Sequence, residues 1–160
     1  MPRTIIAVVG GFRILPEVEK QAYELGRRIG EAGWVLLTGG RDGGVMAAAA
    51  SGARDAGGIT VGILPGKDRS GIAQGVDIAI LTGMGDARNV INVLSADVVV
   101  ALSGGAGTLS EISLAANNNR PIILLGPSPE IENATKALQP DSTSVKGIDD
   151  VITTIESIIG

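Results

Sequence analysis

Neither cysteine nor histidine occurs among the 160 residues of the chain. These two absences exclude structural disulfides, thiolate nucleophiles, Ser-His-Asp chemistry and conventional zinc sites. Acid–base chemistry is left to carboxylates, Lys, Arg or Tyr. Aromatic residues are nearly missing too: Phe12, Tyr23 and Trp34 are the whole set, too few for a platform on which nucleic-acid bases stack. Positive charge is not in excess, since 13 Lys and Arg stand against 17 Asp and Glu, so no basic field tracks a phosphate polymer. No apolar run approaches the roughly 20 residues of a membrane helix, and the N-terminus lacks the succession of a secretory leader. The expectation is a cytoplasmic protein that binds neither nucleic acid nor membrane.

Glycine, by contrast, is abundant: 24 residues, well above its usual share of roughly 7%. No triplet period or low-complexity tract organises the glycines, so collagen-like and disordered readings fail. A hydrophobic content of 44% fills a substantial core at this length, and residues 1–160 read as one domain.

Short β-branched runs alternate with helical patterns. Thr4 to Val9, Trp34 to Thr38, Ile59 to Leu64, Val76 to Leu81, Asp97 to Leu102 and Pro121 to Leu125 read as strands. Their continuous apolar character predicts strands covered on both faces, as in a parallel sheet. Val18, Ala22, Leu25, Ile29 and Ala32 recur at helical steps, with Pro16 in the first turn and Gly33 as the stop. Gly43 to Ala56, Asp86 to Ala96, Thr108 to Asn118 and Asp149 to Ile159 read as further helices, the last with acidic residues at its start. Gly66 to Gly75 and Gly126 to Pro129 read as surface loops. The alanine run Ala47 to Ala50 suits close helix packing or an interface, and Met46 suits core or interface. The order predicts an α/β fold: a Rossmann-like, doubly wound, mainly parallel sheet with helices on both faces, binding ligands beyond the carboxyl ends of its strands.

Three glycine turns fall at that edge: Gly10-Gly11, Gly39-Gly40 with Gly43-Gly44, and Gly104-Gly105 with Gly107. Glycine allows close backbone approach, and a following helix offers unpaired N–H groups and partial positive charge to a phosphate oxygen. Each turn alone is explained as well by chain reversal; three at one edge favour a ligand. The clearest cradle is Ser103-Gly104-Gly105-Ala106-Gly107-Thr108. Neither G-x-G-x-x-G nor G-x-x-x-x-G-K-[ST] is present, which argues against ordinary NAD enzymes and P-loop NTPases.

Thr38-Gly39-Gly40-Arg41-Asp42-Gly43-Gly44-Val45-Met46, Thr82-Gly83-Met84-Gly85-Asp86-Ala87-Arg88-Asn89 and Gly104-Gly105-Ala106-Gly107-Thr108-Leu109-Ser110-Glu111 resemble one superfamily. It is the LONELY GUY and molybdenum cofactor carrier group, formerly often labelled lysine decarboxylase-like. The resemblance runs from about Ile5 to Leu125 and is nearest to the short bacterial carrier-like branch. In the phosphoribohydrolase branch the pattern P-G-G-x-G-T-x-x-E supplies a phosphate turn and a functional glutamate, which carries onto Gly104, Gly105, Gly107, Thr108 and Glu111. Ser103 replaces the proline and Ser110 a common second glutamate. The arginine of that branch's Arg-Lys pair carries onto Arg88, whereas Asn89 stands where the lysine would be. These departures match the carrier-like pattern.

The resemblance implies a binding or carrier protein for a phosphate-bearing nucleotide or pterin, with the molybdenum cofactor as a possible carried ligand and no cofactor required for chemistry. Two alternatives accompany it: a phosphoribohydrolase releasing base and ribose 5-phosphate from a nucleoside 5′-monophosphate, and a nucleotide-sensing domain. As a hydrolase, the chain would use Glu111 and Arg88 catalytically, the carboxylate stabilising positive charge on the sugar. The binding set is Gly10, Gly11, Gly39, Gly40, Arg41, Asp42, Gly43, Gly44, Arg88, Asn89, Gly104, Gly105, Ala106, Gly107, Thr108 and Glu111, with no metal ligands. Bland readings stand beside these. Thr108-x-x-Glu111 is also a capping box, Arg88 could form a surface ion pair with Asp86, and Arg41 and Asp42 suit any polar turn. Lys67 or Arg69 could close a flap over an anion. No lysine occupies a position suited to a Schiff base, which rejects the decarboxylase label. The group's members imply a homodimer or higher homo-oligomer.

Overall fold

The computed structural model describes residues 1–160. Seven strands, β1 (Ile5–Val9), β2 (Val35–Thr38), β3 (Ile59–Leu64), β4 (Ile78–Leu81), β5 (Val98–Ala101), β6 (Ile122–Leu125) and β7 (Thr143–Val145), form one parallel sheet in the order β4-β3-β2-β1-β5-β6-β7. Six helices accompany them: α1 (Pro16–Glu31), α2 (Gly44–Asp55), α3 (Asn89–Ser95), α4 (Ala106–Asn117), α5 (Pro129–Leu138) and α6 (Ile148–Ile159), with a 3₁₀ turn at Gly85–Arg88. The chain winds outward from β1 to β4, then returns to β5 on the other side of β1. Winding direction therefore reverses between β1 and β5, which opens a crevice above their carboxyl ends.

Residues alternate through the sheet. Ile6 and Val8 of β1 enter the core beneath α1, α2 and α6, while Ala7 and Val9 enter the one beneath α3 and α4, where Ile131 of α5 also packs. The α1 stripe buries Ala22, Leu25 and Ile29, and Pro16 opens the helix as expected. At the α1–α2 crossing a Cβ on Gly26 would lie 1.9 Å from the Ala49 carbonyl oxygen, and one on Gly52 1.9 Å from that of Tyr23. The helices thus touch backbone to backbone, which places Ala49, Ala50 and Ala53 of the alanine-rich helix inside the core. No helix is long and apolar enough to cross a membrane.

Three expectations are corrected. Helix α5 and strand β7 fill a region that carries no sequence assignment beyond the loop ending at Pro129. The expected helix from Asp86 divides into the 3₁₀ turn and the short α3. Cover on both faces fails at β4, where Ile78 is 50% and Ile80 45% exposed. These two pair in register with Val61 and Ile63, on the α3 side of the sheet. The β3–β4 crossover carries no helix and runs on the α2 side, where Gly75 packs against Ala50.

Candidate functional site

The glycine turns meet at the β1/β5 crevice. Gly11 N donates to Ser103 O at 2.8 Å, and Val45 N, at the start of α2, donates to Gly11 O at 3.0 Å. A Cβ on Gly104 would lie 2.0 Å from Thr108 Oγ1 and 2.8 Å from Gly11 N. Gly10, Gly43 and Gly44 are likewise closed in by Val45 and Phe12. These glycines let three turns pack against one another. Gly105 and Gly107 differ, because nothing lies within 4 Å of where their Cβ atoms would be. The backbone is open there to an approaching group.

Helix α4 begins at Ala106 with Gly105 as its N-cap and no side-chain cap bond. The capping-box reading is therefore corrected: Thr108 is the third helical residue, and Glu111 lies a turn inside. Flexible Gly104-Gly105 lets the chain enter the helix two residues early, leaving the first-turn N–H groups of Ala106, Gly107 and Thr108 without intrahelical partners. Partial positive charge gathers at this end.

Arg88, Asn89, Asn92, Thr108 and Glu111 are buried polar residues of the 3₁₀ turn, α3 and α4, and hydrogen bonds join Arg88 to Asn89 and Asn92 to Glu111. Arg88, expected in the binding set with a surface ion pair to Asp86 as the bland alternative, is only 7% exposed and makes no ion pair. The tight 3₁₀ turn tucks it under the β2 turn, with Nη2 2.9 Å from where a Gly39 Cβ would be. Its Nη1 donates to Asn89 Oδ1, and its Nε has no partner. Burial lowers the Arg88 pKa, the Glu111 charge opposes that fall, and Arg41 adds repulsion. Glu111, 8% exposed, accepts from Asn92 Nδ2 at 2.9 Å. Burial pushes its carboxyl up to about 7, against the Asn92 hydrogen bond and the Arg88 charge.

The remaining site residues are dispersed. Thr38 Oγ1 accepts from Gly40 N at 3.0 Å and shapes that turn. Arg41 and Asp42 are exposed; Arg41 lies 4.6 Å over the Phe12 ring and pairs with Ile72. Asp42 N donates to Gly71 O and Gly83 N to Gly66 O, both at 2.9 Å, so the Gly66–Gly71 loop is tied at both ends. Lys67 packs along Gly83. An open groove of about 1150 Å³ runs from Asp42, Gly43 and Gly44 along α1 and α2 past Tyr23. A smaller cavity of about 180 Å³ lies between the Gly104-Gly105 turn and Ser128. Neither is lined by Arg88 or Glu111. The sequence reading does not include Asn92; its signal is Asn89 and Asn92, three residues apart on one face of a segment whose other residues up to Leu94 are apolar.

Residues 3–153 match the model of the SLOG cluster4 family. The molybdenum cofactor binding protein from the phototrophic bacterium Rippkaea orientalis superimposes with a TM-score of 0.97 and 46% identity, covering 100% of this chain and 99% of that one. The molybdenum cofactor carrier protein of Chlamydomonas reinhardtii gives a TM-score of 0.94 and 39% identity, covering 99% of each chain. An uncharacterized protein of Archaeoglobus fulgidus is 43% identical over 127 residues, 79% of this chain and 83% of its own.

Proposed function

The chain belongs to the SLOG cluster4 family, and from that premise we propose that it carries the molybdenum cofactor, a phosphate-bearing pterin, in the β1/β5 crevice. The observation that carries this reading is Arg88: a buried guanidinium without an ion pair, under the β2 glycine turn and within reach of the charge of Glu111 on α4, the helix whose first N–H groups lack partners. A phosphate at Gly105 to Thr108 would meet fixed donors and an under-neutralised cation, the setting in which charge-assisted hydrogen bonds are strongest. In this reading Arg41 adds positive charge at the rim, while Gly10, Gly11, Gly39, Gly40, Gly43, Gly44 and Gly104 shape the floor. Asp42, Asn89 and Glu111 supply hydrogen bonds to the polar edge of the ligand. The relatives from R. orientalis and C. reinhardtii, named for binding and carrying this cofactor, support the choice of pterin.

The test is to load the purified protein with the cofactor, remove unbound material, oxidise what is retained and measure pterin fluorescence per chain. Wild type should retain pterin; Arg88→Ala should weaken retention tenfold or more, by roughly the 1.5–3 kcal/mol of hydrogen bonds to a charged group. Wild-type protein that retains none would refute the carrier reading.

Gly107→Ala separates ligand contact from folding. Its Cβ meets no protein atom, and alanine is favoured over glycine in a helix by about 0.5–1 kcal/mol. The variant should be slightly more stable in urea yet retain less pterin. Unchanged retention would remove Gly107 from the phosphate turn.

A second reading, release of base and ribose 5-phosphate from nucleoside monophosphates, is favoured by one observation: a carboxyl held near 7 beside Arg88. At neutral pH part of Glu111 is ionised and able to stabilise charge on a sugar. Asn89 stands where the resembling hydrolases carry lysine. Base release abolished by Glu111→Ala would make this reading primary; no release from any monophosphate would discard it.

A further inference from the structure

Asn92 is completely buried on α3, at 0% exposure. Its Nδ2 donates to Glu111 Oε1 at 2.9 Å, while its Oδ1 has no partner. Buried polar atoms are seldom left bare, and each exception calls for a physical reason. A carboxylate gives Oδ1 nothing, because it only accepts; a carboxylic acid carries an O–H that donates. An amide and an acid can close a ring of two hydrogen bonds, Nδ2–H to Oε1 and Oε2–H to Oδ1.

We propose that Asn92 is a positioning residue that holds Glu111 as its neutral acid through this paired contact, keeping a proton beside Arg88 and the phosphate turn. Burial favours the neutral form, against the Arg88 charge and the single Nδ2 hydrogen bond; the second hydrogen bond, to Oδ1, exists only in the acid. The groups facing the carboxyl are Asn92 from α3 and Arg88 from the 3₁₀ turn, and no other charged group acts on it. The neighbouring strands β5 and β6 are wholly apolar. Burial of the carboxyl raises its pKa enough to make the neutral form accessible at neutral pH. Arg88 feels Arg41 and Asp86, charges of opposite sign, and has no ion-pair partner, so protonating Glu111 leaves its charge without a paired counter-ion. An arriving anion therefore finds a cation and an uncharged neighbour in place of an ion pair. With the carboxyl at about 7 a fraction of the chains is still ionised at neutral pH; the anion's charge favours protonation of that fraction, so binding takes up part of a proton onto Glu111. That last step rests on the phosphate turn of the proposed carrier function; the Asn92–Glu111 pairing does not.

The experiment follows Glu111 Cδ and Asn92 Cγ by ¹³C NMR in the full chain while pH is varied. The two carbons should shift with one midpoint, and Asn92 Cγ should stay constant in Glu111→Gln. An Asn92 carbon that remains flat while Glu111 titrates overturns the pairing. Calorimetry of inorganic phosphate binding, in two buffers of different ionisation enthalpy, tests the coupling. Proton uptake by wild type and none by Glu111→Gln is expected; binding without uptake overturns the coupling. Absence of phosphate binding refutes the phosphate turn and the coupling with it, while the NMR result still decides the pair.

Discussion

Gly26→Ala is expected to lower the unfolding free energy by about 3 kcal/mol, the upper part of the range for overpacking a tight contact. The added carbon would lie 1.9 Å from the Ala49 carbonyl oxygen, 2.7 Å from its carbon and 2.9 Å from its Cα. All three are backbone atoms, so no side chain can rotate away and α1 must move from α2. Helix propensity acts the other way, favouring alanine by about 1 kcal/mol; the sign of the net effect therefore measures the crossing. Urea unfolding of wild type and variant reads it directly, with Gly107→Ala as a control expected to move oppositely. The consequence extends beyond stability. Helix α2 starts at Gly44, where a Cβ would be 2.0 Å from Gly11 O, so displacing α2 disturbs the junction of the β1 and β2 turns. A Gly26→Ala protein as stable as wild type would mean that the helices separate freely and the close crossing constrains nothing.

The same crossing illustrates what the amino-acid pattern expresses. Ala22, Leu25 and Ile29 announce α1 because one face of it is buried. Strands β5 and β6 are legible because they are buried throughout. Strand β7, the three residues Thr-Ser-Val at the sheet edge, is only half-buried and has no apolar run to reveal it. Helix α5 buries Thr135 alone, so it lacks a stripe. Its start was nevertheless written in Ser128-Pro129-Glu130: Ser128 Oγ accepts from Ile131 N at 3.4 Å, and Pro129 and Glu130 suit a first turn. At the site, the turns are legible as glycine after strand, because their geometry depends on local backbone. The burial of Arg88 is not, since Asp86 and Arg88 in a glycine-flanked segment look like surface. Only the 3₁₀ turn, packed under Gly39, takes the guanidinium inside. Asn92 is hidden for a related reason: its partner, Glu111, is on another helix.

Glu111→Gln is expected to stabilise the protein at alkaline pH and leave it nearly unchanged in acid. Burial raises the Glu111 pKa from its ordinary 4.5 to about 7, so the folded protein binds this proton more tightly than the unfolded chain. Below the unfolded value both states are protonated, and the neutral carboxyl carries no charge penalty. Between about 4.5 and 7 the unfolded chain releases the proton first, and stability falls as pH rises. Above the folded value the carboxylate is ionised in both states and its burial cost is complete, on the order of 3 kcal/mol for the gap between the two values. Glutamine avoids that cost while keeping an oxygen to accept from Asn92 Nδ2, and its own amide can donate to Asn92 Oδ1. Urea unfolding across this pH range should therefore give curves for the two proteins that coincide in acid and diverge by up to about 3 kcal/mol above neutrality. Curves that stay parallel would place the Glu111 titration near its ordinary value and remove the physical basis for a retained proton at the site. Divergence would instead show that the carboxyl is kept at a cost to folding, the trade expected where a site is shaped for a ligand.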